Sequence, residues 1–166
     1  MKLSGKALKY GNDVNTDLII AGKYTKTLDM TILAEHAMED IDANFHERLK
    51  EGDFVVGGEN FGCGSSREQA PLALKNAGVG CVVASSFGRI FFRNAINIGL
   101  PIVECDTSAI SDGDKLRYDA ESGTLTNITK ETTVKVEPMP QIMIEILNEG
   151  GLVNFLKIRK DFGNSI

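Results

Sequence analysis

The chain has 166 residues, 42% hydrophobic and 25% charged, with 17 Gly, 4 Pro, 3 Cys and no Trp, which excludes disordered, collagen-like and disulfide-stapled classes. Its 18 basic and 23 acidic residues give a net charge of −5, and the two signs are interspersed, so no basic face is offered to a phosphate backbone and nucleic acid is not an expected partner. A chain of this length hides about 70% of its unfolded surface, so one core and a single domain over residues 1–166 are expected. No apolar run approaches the roughly 20 residues that span a bilayer, and the N-terminus lacks a signal-peptide pattern, so the expectation is a cytoplasmic protein with no membrane partner. Cys63, Cys81 and Cys105 are odd in number and form no C-x-x-C, which argues for free thiols rather than a disulfide framework or a self-contained zinc site.

In chain order, Leu3 to Tyr10 reads as an edge strand closed by the turn Gly11-Asn-Asp13. Asp17 to Ala21 is a short apolar run and Gly22 to Thr27 a polar loop. Leu33, Ala34, Ala37, Met38 and Ile41 recur at helical spacing, predicting an amphipathic helix over Met30–Ile41 with Asp29 or Thr31 as N-cap. Asp53–Gly58 is a β-branched run bounded by glycine, the pattern of a buried strand. A helix over Arg67–Ala77 follows, with Ser65 or Ser66 as N-cap, Glu68 in its first turn and Gly78 as its stop. Gly80–Ala84 is a second core strand, Arg89–Ile98 a helix ended by Gly99, and Leu100–Val103 a third strand. This alternation implies a parallel α/β unit. Lys115–Tyr118, Thr124–Ile128 and Thr132–Val136 form a small β-meander, and a helical tail over Gln141–Leu147 and Gly150–Leu156 is broken at Gly150-Gly151.

The chemistry is expected at Gly62-Cys-Gly-Ser-Ser-Arg67, because a glycine-rich turn between a buried strand and a helix N-terminus gathers backbone N–H groups around one anion. Three familiar anion loops fail by named residues. Cys63-Gly64 stands where a P-loop needs Lys-Ser/Thr. Arg67 stands where the dinucleotide fingerprint needs its third glycine. Gly64-Ser-Ser-Arg-Glu is not a G-x-S-x-G elbow. Two hydroxyls followed by an arginine suit a carboxylate, because the guanidinium fork takes two oxygens while amides and hydroxyls take the rest. In such surroundings a serine alkoxide is favoured and can remove a proton from a carbon beside a carboxylate. Spacing alone leaves an alternative open, in which Ser65 or Ser66 only caps the helix and Arg67 pairs with Glu68 or another neighbour.

The stretch Asn60–Leu74 (NFGCGSSREQAPLAL), with Asn15-Thr-Asp17 before it and Ser86–Pro101 (SFGRIFFRNAINIGLP) after it, resembles the small subunits of the 3-isopropylmalate dehydratase family, equivalent to the swivelling domain of aconitase. Most members carry His where Gln69 stands and Ala where Gly88 stands. The resemblance implies an α/β, aconitase-type swivelling domain, layered β/β/α with a parallel core sheet and a small meander. It also implies Ser65 as the serine base, Ser66 and Arg67 with the Gly64 turn as carboxylate ligands, and Asp17 as the acidic residue that orders the site. Further, it implies that a [4Fe-4S] cluster is held by a separate large subunit and that this chain binds no cofactor. The chain's only histidines, His36 and His46, and its three cysteines offer no set suited to such a cluster.

Within the resemblance, the loop Tyr24-Thr-Lys26-Thr27 corresponds to the element that reads the group distinguishing one malate derivative from another. Burying Lys26 against an isopropyl group is costly, so either Lys26 points to solvent or the substrate is more polar than isopropylmalate. Isopropylmalate is the expected substrate, with homoaconitate, dimethylmalate or a broad range of malate derivatives as alternatives. A non-catalytic carboxylate-binding or purely structural subunit is the alternative of another class. His36 and His46 are expected at the surface, and Arg89 and Arg93 in packing or subunit contact rather than catalysis.

Overall fold

The computed structural model describes residues 1–27 and 29–159. Among them seven strands form one sheet in the order β4-β3-β2-β1-β5-β6-β7. The strands are β1 (Lys2–Lys9), β2 (Phe54–Val56), β3 (Cys81–Ala84), β4 (Ile102–Glu104), β5 (Lys115–Asp119), β6 (Thr124–Asn127) and β7 (Thr132–Lys135). β1 to β4 run parallel, with Ala7 opposite Phe54, Val55 opposite Val82 and Val83 opposite Val103. β5 turns back antiparallel along β1 and leads into the meander.

Successive side chains of a strand point to opposite faces, and both faces of the parallel half are buried. Leu8, Val55 and Val82 pack with Leu33, Leu74, Phe91 and Ala95 of the helices. Ala7, Phe54, Val56, Cys81 and Val83 pack with Leu116, Tyr118 and Leu125 of the meander. The sheet therefore curls until its antiparallel end covers one face of its parallel end. The result is the expected layering of meander on parallel sheet on helices. Double-sided burial also explains why β2 and β3 are uninterrupted apolar runs.

The helices are α1 (Thr16–Ile19), α2 (Met30–Glu35), α3 (Phe45–Arg48), α4 (Gln69–Ala77), α5 (Arg89–Ile98), α6 (Gln141–Asn148) and α7 (Leu152–Ile158). α4 and α5 connect the parallel strands, and both end at a left-handed glycine, Gly78 and Gly99, as their sequence punctuation predicts. None of the helices among the described residues is long and apolar enough to cross a membrane.

Three expectations need correction. β1 is central rather than an edge strand, because it is paired on both sides; a Cβ at Gly5 would lie 2.3 Å from the Gly52 carbonyl oxygen, so only glycine lets the start of β2 come this close. The helix starting at Met30 stops at Glu35 instead of reaching Ile41. Met38 takes φ +61° and gives its N–H to the Ile19 carbonyl at 2.8 Å, so a contact with the end of α1 replaces the next helical bond. Finally, α4 starts at Gln69, with Glu68 in the N-cap position and no side-chain cap. Neither Ser65 nor Ser66 caps it.

Candidate active site

The serine turn lies where β1, β2 and β3 deliver their carboxyl ends, the usual place for a ligand site in a parallel sheet. Two neighbouring segments zip it in place. On one side Gly62 donates to the Val14 carbonyl at 2.7 Å and Thr16 donates to the Cys63 carbonyl at 2.9 Å; on the other, Phe61 donates to Ser86 and Gly88 donates back to Phe61. Beneath the turn Phe61, Phe87 and Phe91 form an aromatic cluster with ring centroids 5.5 to 6.2 Å apart. Gly62 is required there, since its φ is +73° and a Cβ would fall 2.2 Å from the Phe91 ring.

Above this floor the chain opens outward. Gly64, Ser65 and Ser66 are exposed. The Ser65 hydroxyl lies 3.1 Å from the hydroxyl of Thr16, and the Ser66 hydroxyl has no hydrogen-bond partner among the described residues. Arg67 is one-quarter exposed and forms an ion pair with the largely exposed Asp17, through Nη1. The same Nη1 reaches the Ile20 carbonyl at 3.4 Å. Nη2 passes over Gly22, 3.2 Å from where a Cβ would stand. Arg67 thus pairs with Asp17 rather than with Glu68, and Asp17 is held for this by α1, whose N-cap Asn15 accepts from the Leu18 N–H at 3.0 Å. The structure therefore brings Gly64, Ser65, Ser66, Arg67 and Asp17 onto one open surface.

The loop of residues 22–27 runs beside it, its first part wound into a 3-10 turn over Gly22–Tyr24. Gln69, the first residue of α4, donates from Nε2 to the Thr25 carbonyl at 3.1 Å and ties this loop to the helix that follows the serines. Lys26 is exposed and makes no ion pair among the described residues. Tyr24 is stacked on His36, 3.9 Å between ring centroids, and the Thr27 hydroxyl accepts the Asp29 N–H at 3.0 Å. No hydrogen bond or ion pair among the described residues joins the side chains of Tyr24, Lys26 or Thr27 to Ser65, Ser66 or Arg67.

His36 is less peripheral than expected, since besides the Tyr24 stack its Nδ1 lies 2.7 Å from Glu39 Oε2, whereas His46 is exposed. Thr16 and Gly22 are site neighbours that the pattern of the sequence did not single out, and Gln69 stood out there only as a departure from the family's usual His. Thr16 stood inside a quoted motif, but its burial was invisible before the fold. Among the described residues no three His, Cys, Asp or Glu side chains are grouped to hold a metal ion. Burial pushes the Cys81 thiol up, and burial followed by the neighbouring Asp106 charge pushes the Cys105 thiol up to about 11, so both stay protonated near neutrality and neither is a ready thiolate ligand. Among the described residues the donor set does not fit an iron-sulfur cluster. An apolar cavity of about 320 Å³, lined by Phe92, Ile102, Tyr118, Met139 and Met143 among others, shares no residue with the serine turn.

Residues 2–107, which carry the parallel sheet and the serine turn, match the family model of the aconitase C-terminal domain. The chain is 52% identical to the 3-isopropylmalate dehydratase small subunit of Brachyspira hyodysenteriae, over 96% of this chain and 99% of that one. It is 51% identical to 3-isopropylmalate dehydratase small subunit 2 of Archaeoglobus fulgidus, over 97% and 98%. The crystal structure of 3-isopropylmalate dehydratase from Methanocaldococcus jannaschii superimposes with a TM-score of 0.91 at 50% identity, covering 96% of each chain. The chain belongs to the aconitase C-terminal domain family, among its 3-isopropylmalate dehydratase small subunits.

Proposed function

We propose that this chain is the small subunit of a two-chain hydro-lyase that interconverts 2-isopropylmalate and 3-isopropylmalate by removing and re-adding water, and that it works as a single swivel-type domain in the cytoplasm. The observation that carries the assignment of roles is the open turn in which Ser65, Ser66 and an Asp17-held Arg67 share one surface. A carboxylate of the substrate docks on the guanidinium edge that Asp17 leaves free, on the Ser66 hydroxyl and on the amides of the Gly64 turn. Ser65, as alkoxide, takes the proton from the carbon beside that carboxylate and returns it during rehydration. Asp17 fixes the guanidinium plane and so acts on binding more than on stability, since an exposed pair contributes about 0–1 kcal/mol.

This surface is half of a site. Proton abstraction from carbon needs water excluded and charge stabilised around the base, whereas both serines here face solvent. We place the covering half on a large subunit. A [4Fe-4S] cluster held there would supply Lewis-acid chemistry for the loss of the substrate hydroxyl. The assay is reconstitution with an anaerobically prepared large subunit, offering 2-isopropylmalate and homoaconitate side by side. The expected result is no turnover by the isolated chain and isopropylmalate turnover by the pair. Turnover by the isolated chain, or stoichiometric iron bound to it, overturns the division of labour. Homoaconitate is the second reading, favoured by the unpaired Lys26 ammonium beside the site, and preferential turnover of it selects that reading.

A further inference from the structure

Thr16 is a polar side chain that the proposed chemistry leaves unused, and its setting is unusual. It opens α1 yet is only 2% exposed. Its N–H is spent on the Cys63 carbonyl at 2.9 Å, and its own carbonyl accepts from Ile20 at 3.0 Å. What remains is the hydroxyl, which lies 3.1 Å from Ser65 Oγ and 3.3 Å from the Ser65 carbonyl oxygen. Among the described residues it is the sole hydrogen-bond partner of Ser65 Oγ. Gly64 makes the approach possible: its φ is +99°, and a Cβ there would already lie 3.4 Å from Thr16 Oγ1.

A threonine hydroxyl has one proton to give and lone pairs to accept with. While Ser65 keeps its proton, both hydroxyls are satisfied when Ser65 donates to Thr16 and Thr16 donates to the Ser65 carbonyl. Once Ser65 is an alkoxide, the first of these bonds is gone and the Thr16 O–H has a stronger acceptor 3.1 Å away. A rotation of the hydroxyl then redirects its proton from the carbonyl to Oγ without transferring it. Burial keeps water from competing for that donor, which raises the worth of the bond. β-Branching limits the Thr16 χ1, so the donor is held in place beforehand.

From this juxtaposition we infer that Thr16 is a positioning residue for Ser65, holding its hydroxyl in one rotamer and supplying the hydrogen bond that favours its deprotonated form. The inference rests on Ser65 being the base, and the experiment separates the two. Thr16→Val, Thr16→Ser and Ser65→Ala are each assayed in the reconstituted two-chain enzyme, with kcat, KM and the pH dependence of kcat as readouts. Thr16→Val is expected to lower kcat about 10- to 100-fold, in the range of a lost oxyanion donor or somewhat below it, with KM within about twofold. The acid limb of the kcat profile should move to higher pH, because the base is harder to deprotonate. Thr16→Ser keeps the donor and should restore most of kcat and return the limb to its original place.

If Ser65→Ala turns over normally, the base assignment falls and the inference with it. If Ser65→Ala is inactive while Thr16→Val keeps its kcat and its pH profile, the inference alone is overturned. The same holds if Thr16→Val raises KM with an unmoved profile, the mark of a purely structural role. Should Thr16→Val fail to fold or to assemble, Thr16→Cys, close in size but a weak donor, carries the test with the same two outcomes.

Discussion

Two aspartates, one at the start of the meander and one beside the serine turn, are used in opposite ways. Asp114, where the chain enters the meander, is 6% exposed in its side chain. It accepts the Ser111 N–H at 2.8 Å and Asn127 Nδ2 at 2.7 Å, and it pairs with Lys130 at 3.3 Å. Asp17, at the carboxyl end of the parallel half, is 65% exposed and has Arg67 as its partner. The meander's carboxylate gathers three partners within the chain on its Oδ2, and what it does is hold a hairpin. The turn beside Asp17 keeps hydroxyls and part of a guanidinium uncommitted, a state that costs little only because water solvates them. Polar groups left unsaturated at the surface mark the half of the molecule that meets a ligand.

That contrast can be broken by substitution, and the expected effects fall in order of size. Ser65→Ala should remove about 10³-fold of kcat in the assembled enzyme, as loss of a general base does, with an unchanged melting temperature. An unaltered kcat would take the chemistry away from the turn. Asp114→Ala is the converse, a stability lesion of about 3 kcal/mol, because charged hydrogen bonds are lost and buried Asn127 is left without its acceptor. Its folded fraction should keep full activity, which urea unfolding and kinetics on the same sample would show.

The Asp114 effect also carries a pH signature. Burial pulls its carboxyl upward, but the Ser111 N–H, Asn127 and Lys130 outweigh this and hold it below the usual aspartate value. A depressed native value means stability that is complete above about pH 4 and fades as the pH falls through the native value. The gap in urea midpoint between wild type and Asp114→Ala should therefore narrow below about pH 4. A gap independent of pH would show that the charge is not the source.

Smaller effects sharpen the site itself. Arg67→Lys should raise KM about tenfold, roughly 1.4 kcal/mol, with kcat largely kept, because an ammonium cannot replace the planar fork. Gln69→Ala removes the bond to the Thr25 carbonyl and should raise KM about threefold, with less than about 1 kcal/mol of stability lost. An equal fall in the kcat of Gln69→Ala would tie the loop of residues 22–27 to the chemistry and not only to substrate fit.

What could be read from residue order was what local physics dictates. β2 and β3 announced themselves as short β-branched runs, and Gly78 and Gly99 as the stops of α4 and α5, because each signal lies within a few residues of the feature it sets. The turn Gly62–Arg67 was legible for the same reason: glycines, hydroxyls and an arginine in one short stretch already specify an anion's company. Long-range pairing was not legible. That β1 is central, that Met38 leaves its helix to bond Ile19, that Asp17 and not Glu68 takes Arg67, and that Thr16 lies buried against Ser65 are contacts between segments distant in sequence. Each is decided by which surfaces the curled sheet brings together. A hydroxyl's role follows from what stands within 3 Å of it, and chain order alone carries no such distance.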